Sequence, residues 1–223
     1  MTHDTAKDPR LLVAKLACDE LQRITREKTS ARPALHRGHV AELAAAIESA
    51  IMILMYTYQE PDALAASEPA RELQAHAAEL QVALAPVLAA KDTPALLSAR
   101  LRWCLRTLTG LGRRLGSSGA TLASGVDLVA VEVRNVTRTG PLWLIRVSDG
   151  DQAFRVVTNL PGIRPGDVLA VAFLPPREVG GEASEAMFLG AGRRPEPTGS
   201  ILAEESVDAR EAASILHDEL GRR

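Results

Sequence analysis

The run Leu142-Trp-Leu-Ile-Arg-Val-Ser-Asp149-Gly150-Asp-Gln-Ala-Phe154-Arg-Val-Val-Thr158 decides the architecture of the second half of the chain. Two short stretches rich in apolar and β-branched residues flank Asp149-Gly150, and such a pair supplies the positive φ that tight hairpin turns demand. Outward from it lie further stretches of the same kind, Val126–Val133, Val168–Leu174 and Met187–Leu189. Turn residues separate them at Thr139-Gly140-Pro141, Pro161-Gly162, Pro165-Gly166-Asp167 and Gly180-Gly181. Five short strands are few for a sandwich. They predict an OB-type β-barrel over residues 126–192, a fold that offers one face and its loops to a ligand.

Upstream, residues 1–116 read as a helical domain. Glycine is rare and apolar residues recur at three and four. Val40, Leu43, Ala44, Ile47, Ile51, Leu54, Met55 and Tyr58 share one face of a long helix that Pro61 stops. Met52, Ile53 and Tyr56 make its end apolar nearly all round, which suits burial in a bundle or an oligomer interface. A helix over Pro9–Lys28 carries Leu12, Leu16 and Ile24, and one over Pro69–Leu88 has Ser67 as N-cap and is expected to kink or end at Pro86. Another starts with Thr93 as N-cap and runs through Leu97, Leu101, Leu105 and Leu108. The reading is an antiparallel helical bundle, then a linker at 117–125 with its hinge at Ser117-Ser118-Gly119. Residues 193–223 read as a Pro-rich, acidic tail with seven acids against three arginines from 196 onward. Ser206 caps a short helix there, whose Ile215, Leu216 and Leu220 form a stripe that docks on the body or on a second chain.

The chain is 46% hydrophobic and 24% charged, an ordinary soluble composition, with aromatics at only 3%, so the cores rest on Leu, Val, Ile and Ala. Net charge is -2, and residues 118–195 balance eight arginines against eight acids, so no broad basic field exists. Cys18 and Cys104 read as reduced, buried thiols. Met1–Arg10 lacks the apolar core of a signal peptide, and Ile51–Met55 is too short to span a bilayer. The expected location is cytoplasmic, with no membrane partner.

One segment carries a family likeness. Val168-Leu-Ala-Val-Ala-Phe-Leu-Pro-Pro-Arg-Glu-Val-Gly-Gly-Glu-Ala-Ser-Glu-Ala-Met-Phe-Leu-Gly190 has Leu174, Pro176, Arg177, Gly181, Ser184, Met187 and Leu189 in the order of a strand, a Pro-Arg turn, a glycine, a serine and a closing strand. Together with Arg155-Val-Val-Thr-Asn-Leu160 and Ile163-Arg-Pro-Gly-Asp-Val168, it resembles the EMAP/CsaA-type tRNA-binding domain. With its helical first half, the chain resembles archaeal predicted RNA-binding proteins with a C-terminal EMAP domain. It departs from the pattern at Phe173, Glu178 and Ala186. The resemblance implies a non-catalytic protein that binds tRNA or another structured RNA.

The side chains suited to that task are Arg134, Arg138, Arg155, Thr158, Asn159, Arg177 and Ser184. Arginine forks match phosphates, hydroxyls reach sugar or backbone, and an amide reads a base edge or shapes a turn. Phe173, Met187 and Leu189 read as core. Arg102, Arg106 and Arg113 repeat at four and seven, giving either an auxiliary RNA stripe or a solvated face. His36 and His39 lack the further ligands of a metal site. No phosphate loop, nucleophile elbow or dinucleotide fingerprint occurs, so no cofactor and no enzyme activity is expected. Partners would be RNA, a second copy in a homodimer, and an aminoacyl-tRNA synthetase or another translation factor. The alternative is a protein-interaction, oligomerisation or chaperone-like module that kept the OB fold without strong RNA binding.

Overall fold

The computed structural model describes residues 4–27, 37–117 and 121–222. The chain divides into two compact units, Met1–Gly125 and Val126–Arg223.

The first unit is helical: α1 (Pro9–Arg26), α2 (Arg37–Met55), α3 (Pro61–Ala65), α4 (Glu68–Ala89), α5 (Ala95–Thr109) and α6 (Leu111–Leu115). Four of them close a ring, in which α1 packs on α2 and α5, and α4 packs on the same two. The stripe of α2 lies in the core from Val40 to Met55. Its last member departs from expectation: Tyr58 follows the helix end, takes φ 53° and is exposed, as are Ile53 and Tyr56. Thr5 accounts for that end, because its Oγ1 donates to Met55 O at 2.8 Å and accepts from Tyr58 N at 3.1 Å. Pro61 does not stop α2, which already ends at Met55; it opens α3 as its first residue.

Ser67 caps α4, its hydroxyl accepting from Ala70 N. Pro86 does not end α4, which continues to Ala89. The carbonyl that loses its partner to the proline belongs to Val82, a residue exposed on the outer face. Thr93 is not the cap of α5. Pro94 holds that position, and the Thr93 hydroxyl turns back to donate to Val87 O at 2.7 Å, closing α4 instead. Of the linker, Leu122–Gly125 forms a 3-10 turn against α1, where a side chain on Gly125 would collide with Val13. Its hinge residues Ser118 and Gly119 lie outside the described residues.

One buried and one partly buried ionic cluster lock the bundle. Arg10 pairs with Asp8 at 2.6 Å, and its Nη1 donates to the carbonyls of Arg114 and Leu115 at the end of α6 and of Ser117 just beyond it. Arg100 on α5 bonds Glu20 and, bidentately at 2.9 Å, Glu27, fastening α5 to α1 and its end. Burial pushes the Glu20 carboxyl up, but the bonds from Arg100 and Arg23 outweigh it and hold Glu20 below its usual range. The Arg100 bond comes first in lowering Glu27.

The second unit holds β1 (Leu128–Thr139), β2 (Leu142–Ser148), β3 (Ala153–Thr158), β4 (Val168–Ala172), β5 (Arg177–Val179), β6 (Glu182–Ser184), β7 (Met187–Arg193) and α7 (Arg210–Gly221). Five strands form one antiparallel sheet in the order β3-β2-β1-β4-β7, and β5-β6 is a separate hairpin turning on Gly180 and Gly181, both at positive φ. A core of Val129, Val131, Ile145, Val147, Phe154, Val156, Phe173 and Phe188 fills the inner side. Phe154 and Phe173 meet edge to face at 4.7 Å. Phe173 is core as expected, whereas Met187 and Leu189 take the other side of β7 and Phe188 points in. A period of two allows only one of those sets inside.

The sheet is not closed into the expected barrel. The residues between β6 and β7 cross the free edge of β3 instead of laddering along it. Glu185 N donates to Arg155 O at 2.8 Å, while the side chains of Ser184 and Glu185 accept from Val157 N and Arg155 N. β7 then pairs with β4 alone. The segment from 193 is built into this unit: Gly199, Ser200 and Leu202 exchange backbone bonds with Leu128 and Ala130 of β1. The final helix starts at Arg210, after Asp208 accepts from Arg210 N. Ser206 belongs to an earlier 3-10 turn. Ala212 and Leu216 of α7 are fully buried.

Candidate nucleic-acid interface

Antiparallel register sorts the candidate residues onto two rows of opposite face. Arg138 stands opposite Trp143, and Trp143 opposite Thr158. This row shares the side of Val136, Ile145 and Val156, at the margin of the core. The Arg138 guanidinium lies 5.7 Å from the Trp143 ring centroid, a cation–π contact, and its Nε donates to Gly140 O. Thr158 Oγ1 accepts from Leu160 N at 3.1 Å, and Asn159 beyond it is exposed.

The outer face carries the row Asn135, Arg146, Arg155. Arg134 sits at the bulge beside Asn135 and pairs with Glu132 at 2.8 Å. Arg155 lies 3.6 Å from Glu182. Arg146 is exposed and, among the described residues, is in no carboxylate pair. Sequence reasoning does not single this residue out. Its signal is the alternation in Leu142–Val147, which turns Arg146 away from Ile145 and Val147, and the Asp149-Gly150 hairpin, which sets it opposite Arg155.

Arg177 and Ser184 are direct cross-strand partners in the β5-β6 hairpin. Their states differ. The Ser184 hydroxyl accepts from Val157 N at 3.0 Å and donates to Ala186 O at 3.2 Å, so it holds the edge of β3. Arg177 is partly exposed, and its Nη2 donates to Glu219 Oε1 of α7 at 2.5 Å. Glu219 also receives Arg222 at 3.1 Å.

In the helical unit, Gly110 separates Arg113 on α6 from Arg102 and Arg106 on α5, so the three do not share one continuous helix. Arg102 and Arg106 are half-buried, and Arg102 Nη1 donates to Ser98 Oγ. Trp103 and Cys104 point inward. Burial pushes the Cys18 thiol up to about 12, and it donates to Ala44 O at 3.2 Å. Among the described residues, no three His, Cys, Asp or Glu side chains gather as a metal set; His39 faces Glu79 at 3.3 Å, and His36 lies outside the described residues. By length and composition, Gly38–Met55 of α2 is apolar enough to cross a bilayer, but its Val40–Met55 stripe fills the bundle core.

A family model described as an alpha helical domain matches residues 1–118. No curated protein matches the chain.

Proposed function

We propose, for a chain that belongs to the alpha helical domain family through residues 1–118, that it is a non-catalytic, cytoplasmic RNA-binding protein whose β unit takes tRNA or another structured RNA. The observation that carries this reading is the pairing of Arg177 with Glu219. An outward guanidinium on a glycine-turned hairpin already donates to a carboxylate oxyanion 42 residues away. A phosphate is the same kind of ligand with more charge, and the fork of arginine suits it. The likeness of residues 155–190 to the EMAP/CsaA-type domain supports RNA as its source. The helical unit would position the protein, pair it with a second copy, or engage an aminoacyl-tRNA synthetase or another translation partner.

Fluorescence anisotropy with tRNA at low and physiological salt tests this. Arg177→Ala is expected to weaken salt-sensitive binding about tenfold, one phosphate contact's worth, and Glu219→Gln to strengthen it by freeing the guanidinium. Absence of binding to any structured RNA at low salt would sink the reading.

A second reading, a protein-interaction or chaperone-like module, is favoured by the apolar end of α2, where Ile53 is 48% and Tyr56 59% exposed. Its test is the mass in solution of wild type against Ile53→Ser/Tyr56→Ser. An unchanged monomer in both removes self-association from this reading.

A further inference from the structure

We propose that Asn135, Arg146 and Arg155 form a seat for one phosphodiester oxyanion of RNA on the outer face of β1, β2 and β3. The inference rests on the RNA reading above for the source of the phosphate, and it names a site apart from Arg177. Three features carry it.

The first is register. Arg146 is the direct partner of Arg155 on one side and of Asn135 on the other. Side chains directly opposite on antiparallel strands stand about 5 Å apart at Cβ, which sets Asn135 and Arg155 on either side of Arg146, so a phosphate over Arg146 lies between the other two. Two guanidinium groups directly opposite repel, which costs the empty sheet stability. An anion between them reverses the sign.

The second is the distribution of carboxylates. Glu132 holds Arg134, and Glu182 lies 3.6 Å from Arg155. Both acids sit at the flanks of the row. The middle guanidinium, Arg146, is left to solvent among the described residues, so the row keeps its positive charge at the centre.

The third is the amide of Asn135. Thr137 Oγ1 donates to Asn135 Oδ1 at 2.9 Å. That uses the acceptor of the side chain and leaves its NH2 as an outward donor. The row therefore presents donors only, two forks and an amide, the composition that recognises a phosphate oxygen.

The test uses the full chain with Arg146→Gln, and Arg164→Gln as an exposed arginine outside the row. In tRNA anisotropy, Arg146→Gln is expected to weaken binding about tenfold and to reduce the salt slope by about one, with Arg164→Gln within about twofold of wild type. The urea midpoint of Arg146→Gln should equal or exceed that of wild type, because the repulsion with Arg155 is gone. If wild type binds tRNA and Arg146→Gln binds it equally well with the same slope, the seat is overturned and the RNA reading stands. A lowered urea midpoint makes Arg146 a structural residue and overturns the seat as well. If wild type binds no tRNA, the RNA reading falls, and a titration with inorganic pyrophosphate decides the seat. Nuclear magnetic resonance shifts at the Arg146 and Arg155 Nε–H and Asn135 amide signals, lost in Arg146→Gln, uphold it as an oxyanion site. Their absence overturns it.

Discussion

The two units use arginine in opposite ways. In the helical unit, Arg10 is buried against Asp8 and three carbonyls, and Arg100 is held between two glutamates. In the β unit, Arg134, Arg155 and Arg177 meet single carboxylates at the surface. A charge removed from water must keep every partner it has, because losing one leaves the other uncompensated. A surface pair contributes about 0–1 kcal/mol and exchanges partners freely. The buried arginines are thereby fixed to the fold, and the exposed ones are available to a ligand.

The comparison breaks most sharply at Arg10. Arg10→Met takes the guanidinium away from the buried Asp8 carboxylate and from three carbonyls at and after the end of α6, and is expected to destabilise the helical unit by about 3–5 kcal/mol. The chain's two tryptophans separate the units, Trp103 reporting the helices and Trp143 the sheet. Urea unfolding followed in the Trp143→Phe background should show the loss, and the same change in the Trp103→Phe background should leave the β transition in place. A shared, equal shift would mean that the units unfold as one.

Acid gives the next effect. Glu20 and Glu27 are held below the ordinary value of 4.5. Groups depressed in the folded state contribute stability that is complete above that value and is lost as pH falls through their lower folded values. The Trp103 transition should therefore move to lower urea as pH drops below about 4.5, and Arg100→Gln should remove most of that dependence. A pH-independent midpoint would show that the clamp stores no stability.

Ser184→Ala sharpens the comparison from the other side. It removes the acceptor of Val157 N at the edge of β3, costing about 1 kcal/mol, read in the Trp143 transition. An unchanged midpoint would free Ser184 from its structural role and return it to the surface available to RNA.

Helices were legible because burial repeats every three to four residues, so Val40, Ile47 and Leu54 announce one face whatever packs on it. Caps are legible only in part. Ser67 accepts from Ala70 N as a cap while donating back to Leu64 O, whereas Thr93 turns back to Val87 and Ser206 to Ala203. Both alternatives satisfy the same hydroxyl, and local sequence does not choose between them. The strands of the sheet were visible in Leu142–Val147 and Phe154–Thr158. The sequence marks the hairpin Arg177–Ser184 only as a turn, since three-residue strands carry no readable alternation. The proposed seat was half legible, with Arg155 in view and Arg146 not.

By itself the sequence determined the division into a helical and a β half, the main helices, the five strands of the sheet and the glycine turns, because each follows from local periodicity or from a φ that only certain residues adopt. The tertiary structure alone decided that the sheet stays open, that Phe188 and not Met187 enters the core, that Arg146 faces Arg155, and that Arg177 meets Glu219. Those are matters of register and of contacts between residues far apart in the chain. A slip of one residue in a strand reverses its face at almost no local cost, so only the packed whole selects among them.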